Sequence, residues 1–595
     1  MPVMKGGELI ARTLLAEKIP YVFGICGHGN VGLLDALYDV RDQLRLVSPR
    51  HEQCAGHMAD AYFRVRHRPV ATLTSTGPGT ANLVMSLVTA LSDSSTFLAI
   101  TANVPTSQHN RAPFQELYAH NQADFAQVLR PVVKRAFQPT RVDMLPLALR
   151  QALNTMVTGR PGPVNIDIPY NVFQEQADTE VGAPSHLAAT HRPAASPDDV
   201  SATLNLLAGS QRPVLFIGHG ATLSEAGPEI TELAHRLGIP VITSPNGMGC
   251  IPGTDPLALG FIGRNGAYPA NECGRRADLV LTLGTRFDDR SSSSWHAGYS
   301  WNFPTTRLVH VDIDPLELGR NYPPTLGIIA DIRTFVRQLL GALPAVPAVA
   351  ARRYAPWLDQ VRAWQLQWEA FVQPHFEDST SPLRPEFVVG TLRKTLPDDV
   401  ILLLDSGVHH NWFMQFWRAK RPQSMLNSWG YSSMGFGVCG ALGAQLAAPD
   451  RPVVAVVGDG GFTMAPHVLC TAVEYSLPVV WIVWNNFAWA AIRDLQYGLF
   501  DGREIGTAFY KGQTGEPYNP DFAAWARACG ADGVTIKRSQ DLGDAVRQAI
   551  GNRRPCVIDV HVDANIRPPS TGTWQLPPIP FKEPVYGKPY VPDRS

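Results

Sequence analysis

Short runs of small, often β-branched residues recur along this chain, and one after another they stop on glycine. IPYVFGICGHGN (19–30), VATLTSTGPGT (70–80), VILLLDSGVHH (400–410) and VVAVVGDGG (453–461) all have this form. Runs that are apolar on both faces read as strands buried in parallel sheets, and helical periods separate them. That alternation restricts the chain to α/β architecture. The expected fold is three doubly wound parallel-sheet domains, at 1–175, 198–343 and 365–565, with an extended tail at 566–595. The breaks are drawn at the polar, Ala/Pro/Ser-rich stretch 174–199 and the Pro/Ala-rich stretch 342–356. In open sheets of this kind ligands bind beyond the carboxyl ends of the strands, where these glycines fall.

Charge excludes some functions. Lysine and arginine number 51 against 52 acidic residues, and no long basic run is present. Nucleic acid or an anionic membrane would need a basic patch that the sequence does not display, so neither is expected as a partner. No apolar stretch approaches the ~20 residues of a bilayer span, and the first twenty residues lack a signal-peptide core. The 8 cysteines are scattered without a CxxC pair, which speaks against a zinc knuckle and for a reducing compartment. A cytoplasmic location is the expectation.

The most informative spacing begins at Gly458-Asp459-Gly460, with Asn485-Asn486 arriving 24 residues later. The intervening segment reads as a turn, a helix in APHVLCTAVEYS and a return strand in PVVWIVW. One such crossover brings Asn486 back beside Asp459 at the same sheet edge. A carboxylate, an amide oxygen and a nearby backbone carbonyl form a hard oxygen set suited to Mg²⁺, which completes its octahedron with phosphate and water. Gly458, Gly460 and Gly461 let phosphates approach the backbone.

GDG-x24-NN resembles the diphosphate-binding motif of thiamine diphosphate enzymes. The resemblance implies that Asp459, Asn486 and the carbonyl of Ala488 hold Mg²⁺. Such enzymes need a carboxylic acid against N1′ of the cofactor pyrimidine. HEQCAGHMADAYFR, from His51, is similar to the family's activating-glutamate motif, which assigns that role to Glu52. TSTGPGTANL (74–83), with Gly77, resembles its glycine turn, and GYSSMGFGVCGALG (430–443) places Ser432 and Met434 at the cofactor, Met434 as the wedge between its rings. Gly407 and His409 fall on the same side. The three domains would then be pyrimidine-binding, central and diphosphate-binding. The active site would lie between subunits of a homodimer or homotetramer, and the acceptable substrates would be keto acids or other small carbonyl compounds.

RFDDR (286–290), LVHVDIDPLELGRN and NRAPFQE (110–116) resemble the acetolactate synthase branch, in which Gln115 would stand near the substrate and FAD can lie along the central domain. Gly218 and Arg286 are the candidate flavin contacts, although GHGATL lacks the third glycine of a dinucleotide fingerprint. Several positions depart from that branch. Cys26-Gly27-His28-Gly29-Asn30 replaces a run close to PGG and offers His28 as an acid/base beside the reacting carbon. Val408 and His410 replace glutamines, and Trp489-Ala490-Ala491 replaces a Gly-Met-Val run in the acceptor pocket.

The leading reading is a carbon–carbon lyase or carboligase acting on 2-keto acids, a transferase or lyase of the acetolactate synthase type. A 2-hydroxyacyl-CoA lyase or oxalyl-CoA-type decarboxylase shares most of these motifs, with an ADP-containing ligand in place of FAD. A regulatory subunit that binds thiamine diphosphate without catalysis would not need Glu52. The tail carries eight prolines among large apolar side chains, and is expected to cover the active-site entrance or a neighbouring subunit.

Overall fold

The computed structural model describes residues 2–121, 123–184, 192–343 and 353–569. The proposed covering role falls on residues beyond 569 and so lies outside the described part.

Three six-stranded sheets, each wholly parallel, form the frame. In the first, the strands lie in the order Arg45–Val47, Tyr21–Gly24, Ala71–Thr74, Leu98–Asn103, Val164–Pro169, Arg135–Phe137. The third repeats that topology as Met425–Asn427, Ile401–Leu404, Val453–Gly458, Val479–Asn485, Cys556–His561, Asp532–Ile536. The central sheet runs Ala258–Phe261, Val241–Thr243, Pro213–Ile217, Leu279–Leu283, Arg307–Asp312, Leu326–Ile329, so its strand order reverses between Pro213–Ile217 and Leu279–Leu283. The near-continuous apolar strands are buried because helices cover both faces of each sheet. A short antiparallel pair, Val3–Lys5 with Gln176–Asp178, closes the first domain.

Helix Ala355–Phe376 precedes the third sheet and buries Trp357, Trp364 and Trp368. Residue 365, the expected start of the third domain, lies inside it.

The first and third domains share one apolar core. Helix Glu52–Arg66 crosses helix Phe436–Ala447, where Gly443 meets the Met58 carbonyl so closely that a methyl group would overlap it. Small residues at the crossing allow the two backbones to touch. Beside it, buried Arg64 pairs with Asp60 at 2.7 Å and Asp93 at 3.1 Å and donates to the Asn427 carbonyl at 2.6 Å. Asp93 in turn accepts the Gly430 N–H at 2.8 Å. The ends of the third domain's strands are thereby fixed against the first domain.

Candidate active site

The strand Val453–Gly458 ends at a turn that runs straight into the short helix Asp459–Met464. The helix expected across 465–476 is confined to Val468–Glu474, because Pro466 lacks the N–H that would join the two segments. Strand Val479–Asn485 then returns alongside, pairing Gly458 with Trp484. That register sets Asn486 N–H 3.2 Å from Asp459 Oδ2, and Asn519 Nδ2 donates to the same oxygen at 2.9 Å. Phe487 adopts a left-handed φ of 57° and turns the chain into Ala488.

Two features of this cluster fit a divalent cation. Burial pushes Asp459 up to about 6, against the opposing hydrogen bonds from Asn519 and the Gly460 and Asn486 amides. Among the described residues, Asn486 Oδ1 is buried without a hydrogen-bond partner. A buried carboxylate and an orphaned amide oxygen are costly alone and are both satisfied by a hard cation.

Around it stand the other third-domain candidates. Gly407 has a φ of 151°, and a side chain there would strike the His409 ring 2.7 Å away. His409 is buried, its Nε2 lacks a partner among the described residues, and burial pulls it down to about 4, so it is a neutral imidazole facing the Gly458 turn. Ser432, with φ 55°, shares a 3.0 Å hydrogen bond with Ser406, and Met434 is half-buried immediately before left-handed Gly435. Gly460 is covered by the Trp489 indole, which meets Phe509 edge-on at 5.4 Å.

The first-domain candidates form a second group. Glu52 opens its helix, half-buried, and accepts from Asn82 Nδ2 at 2.9 Å. Gly79 leaves the room it needs: a Cβ there would sit 3.2 Å from Glu52 Oε1. Thr76 Oγ1 donates to Gln115 Oε1, and the Gln115 carbonyl lies against Gly77, so Gly77 is where two backbones meet. His28 is exposed and packs edge-on against exposed Phe114 at 6.0 Å. Among the described residues no hydrogen bond or ion pair joins Glu52 to the Asp459 cluster.

Arg286 borders a crevice at the reversal point of the central sheet, and Gly220 lines it in place of the expected Gly218. Gly218 and Gly220 both press on Gly284, so they serve strand-to-helix packing. Arg160 enters from the first domain, pairing with Glu317 at 3.3 Å and donating to Ser94 Oγ at 2.8 Å. Trp429 closes another side through a 3.1 Å bond to Asp288. The remaining cavity is about 70 Å³, well below the ~300 Å³ or more of ordinary ligand pockets. A flavin or another ADP-containing ligand would have to lie along this crevice rather than within its enclosed part.

Sequence profiles agree with the sheet-by-sheet layout. The thiamine pyrophosphate enzyme N-terminal TPP binding domain matches residues 4–125, the central domain 200–339 and the C-terminal TPP binding domain 405–560. The chain belongs to the thiamine pyrophosphate enzyme family. Within it, the chain is similar to acetolactate synthase large subunits. A probable acetolactate synthase large subunit of Methanocaldococcus jannaschii is 32% identical over 94% of this chain and 92% of its own. The Corynebacterium glutamicum large subunit is 32% identical over 95% and 88%, and the Escherichia coli isozyme 3 large subunit 30% over 95% and 96%. This member of the thiamine pyrophosphate family is an enzyme of the acetolactate synthase type.

Sequence reasoning missed three side chains that organise the site: Asn519 on Asp459, Asn82 on Glu52, and Asp405, described below. Asn82 falls within the TSTGPGTANL turn, and LLLDSG around Asp405 repeats the strand–Asp–Gly form of VVGDGG, whereas Asn519 carries no local signal.

Proposed function

We propose that the enzyme is a Mg²⁺- and thiamine diphosphate-dependent carboligase that decarboxylates one 2-keto acid and joins the retained fragment to a second carbonyl compound. The observation that carries the metal half of this reading is that buried Asp459 takes the Asn486 N–H while Asn486 Oδ1, also buried, has no hydrogen-bond partner among the described residues. Asp459, Asn486 and the Ala488 carbonyl would hold the cation, with Gly458, Gly460, Gly461, Gly407 and His409 around the diphosphate and Ser432 and Met434 flanking the rings. When bound, thiamine diphosphate supplies a carbon nucleophile and accepts the electron pair released with CO₂. Glu52 holds and returns a proton at the pyrimidine N1′. Gln115 orients the substrate, and His28 exchanges a proton with its oxygen. Residues 1–175, 198–343 and 365–565 are then the pyrimidine-binding, central and diphosphate-binding domains.

As the family resemblance implies, the reading includes a homo-oligomer, dimer or tetramer, in which Glu52 of one copy meets the Asp459 cluster of another. No flavin is used in the scheme. The free cysteines, all unpaired, support a cytoplasmic location, and no described helix is long and apolar enough to cross a membrane.

The test is to supply Mg²⁺ and thiamine diphosphate with pyruvate, and separately with a 2-hydroxyacyl-CoA. CO₂ release with formation of a 2-hydroxy-2-methyl-3-keto acid supports the proposal. Aldehyde release from the thioester, with no turnover of keto acids, would overturn it.

A further inference from the structure

Asp405 is fully buried at the end of strand Ile401–Leu404, and the proposed chemistry leaves it without a task. Its surroundings are not those of a generic core residue. Gly435 N–H donates to both carboxylate oxygens, at 2.9 and 3.1 Å, and Gly437 N–H donates to Oδ1 at 3.0 Å. These amides belong to the open first turn of helix Phe436–Ala447, whose donors have no intrahelical acceptor. Gly435 has no side chain with which to cap that helix, so a carboxylate from another strand does it.

The same residue reaches further. Its backbone N–H donates to the Val456 carbonyl at 3.1 Å, on the strand that leads to the Gly458 turn. A Cβ on Gly461 would lie 2.7 Å from Asp405 Oδ2. Its backbone also acts on the buried His409 ring, opposing the fall in pKa that burial causes. The segments around His409, Met434 and Gly461 thus meet at one residue.

We propose that Asp405 is a positioning residue for the cofactor site. It fixes Gly435, at φ 95°, against the Gly458–Gly461 turn, and so sets the spacing between Met434 and the diphosphate-side glycines. This rests on the thiamine diphosphate reading above. A carboxylate is suited to the task because it accepts several N–H groups at once, and its length determines how near the two turns lie.

The experiment compares Asp405→Ala, Asp405→Asn and Asp405→Glu in the full chain. It reads the thiamine diphosphate concentration for half-maximal activity, kcat at saturating cofactor, and the melting temperature without cofactor. Asp405→Asn keeps the length and one acceptor oxygen, and should stay within about threefold of wild type in both kinetic constants. Asp405→Ala frees the Met434 turn, and Asp405→Glu pushes it off Gly461. Each should raise the half-saturating concentration about tenfold or more and lower kcat. A lowered melting temperature with wild-type cofactor affinity and kcat in both would show a helix cap only, and would overturn the proposal. If Asp405→Ala does not fold, Asp405→Glu decides alone by the same criterion. Wild-type enzyme that ignores thiamine diphosphate would instead refute the underlying reading.

Discussion

Asn519 Nδ2 lies 2.9 Å from Asp459 Oδ2 and 2.7 Å from Asn485 Oδ1, so one amide from a later loop orients the carboxylate and braces the strand end beside it. Groups that orient a metal ligand commonly contribute 10–100-fold in metal affinity. Asn519→Ala should therefore raise the Mg²⁺ concentration for half-maximal activity by about that factor, with little change in melting temperature. A Mg²⁺ titration of activity checks this.

Gly460 is close enough to the Trp489 indole that any β-carbon would overlap it. Gly460→Ala should cost on the order of 1–3 kcal/mol of stability through overpacking. Trp489→Leu in the same chain should recover most of that loss. Denaturant unfolding of the single and double variants measures the coupling.

What the sequence disclosed, and what it concealed, follows from the range of the interactions. Strand ends and the Asp459–Asn486 pairing depend on one crossover, and their spacing is written in consecutive residues. The Asn519, Asn82 and Asp405 contacts join segments that are distant in the chain, with no periodicity to mark them. Gly218 and Gly220 show the converse. Their spacing suggests a nucleotide turn, yet the tertiary neighbour they accommodate is Gly284, 66 residues from Gly218. The Ala355–Phe376 helix was obscured because its tryptophans follow a break rich in proline and alanine.

Asp312 gives a pH prediction. Burial raises it to about 7, with Glu317 and Asp314 adding to the rise and Arg286 opposing it. Its folded value exceeds its unfolded one, so its favourable contribution is complete below about pH 4 and lost as pH rises toward 7. Asp312→Asn removes the ionised form from the folded state. The variant should be more stable than wild type at pH 8.5, by on the order of 2–4 kcal/mol, and the gain should vanish near pH 4. Denaturant melts at several pH values give the result.

Glu52→Gln should retain the cofactor and lose on the order of 10²–10⁴-fold in kcat, because an amide cannot exchange a proton with N1′. Asp459→Ala should lose Mg²⁺ and cofactor retention together. A loss under tenfold in the first variant, or full retention in the second, contradicts the assigned roles.

The two variants together give the most direct test of an active site built from Glu52 and the Asp459 cluster of different copies. Chains carrying Glu52→Gln and chains carrying Asp459→Ala, distinguishably tagged and co-expressed, assemble into hybrids that purify through both tags. Each hybrid dimer holds one site with both substitutions and one with neither, so purified hybrids should show about half the wild-type activity on a 2-keto acid with Mg²⁺ and thiamine diphosphate. Hybrids as inactive as either parent would contradict the account.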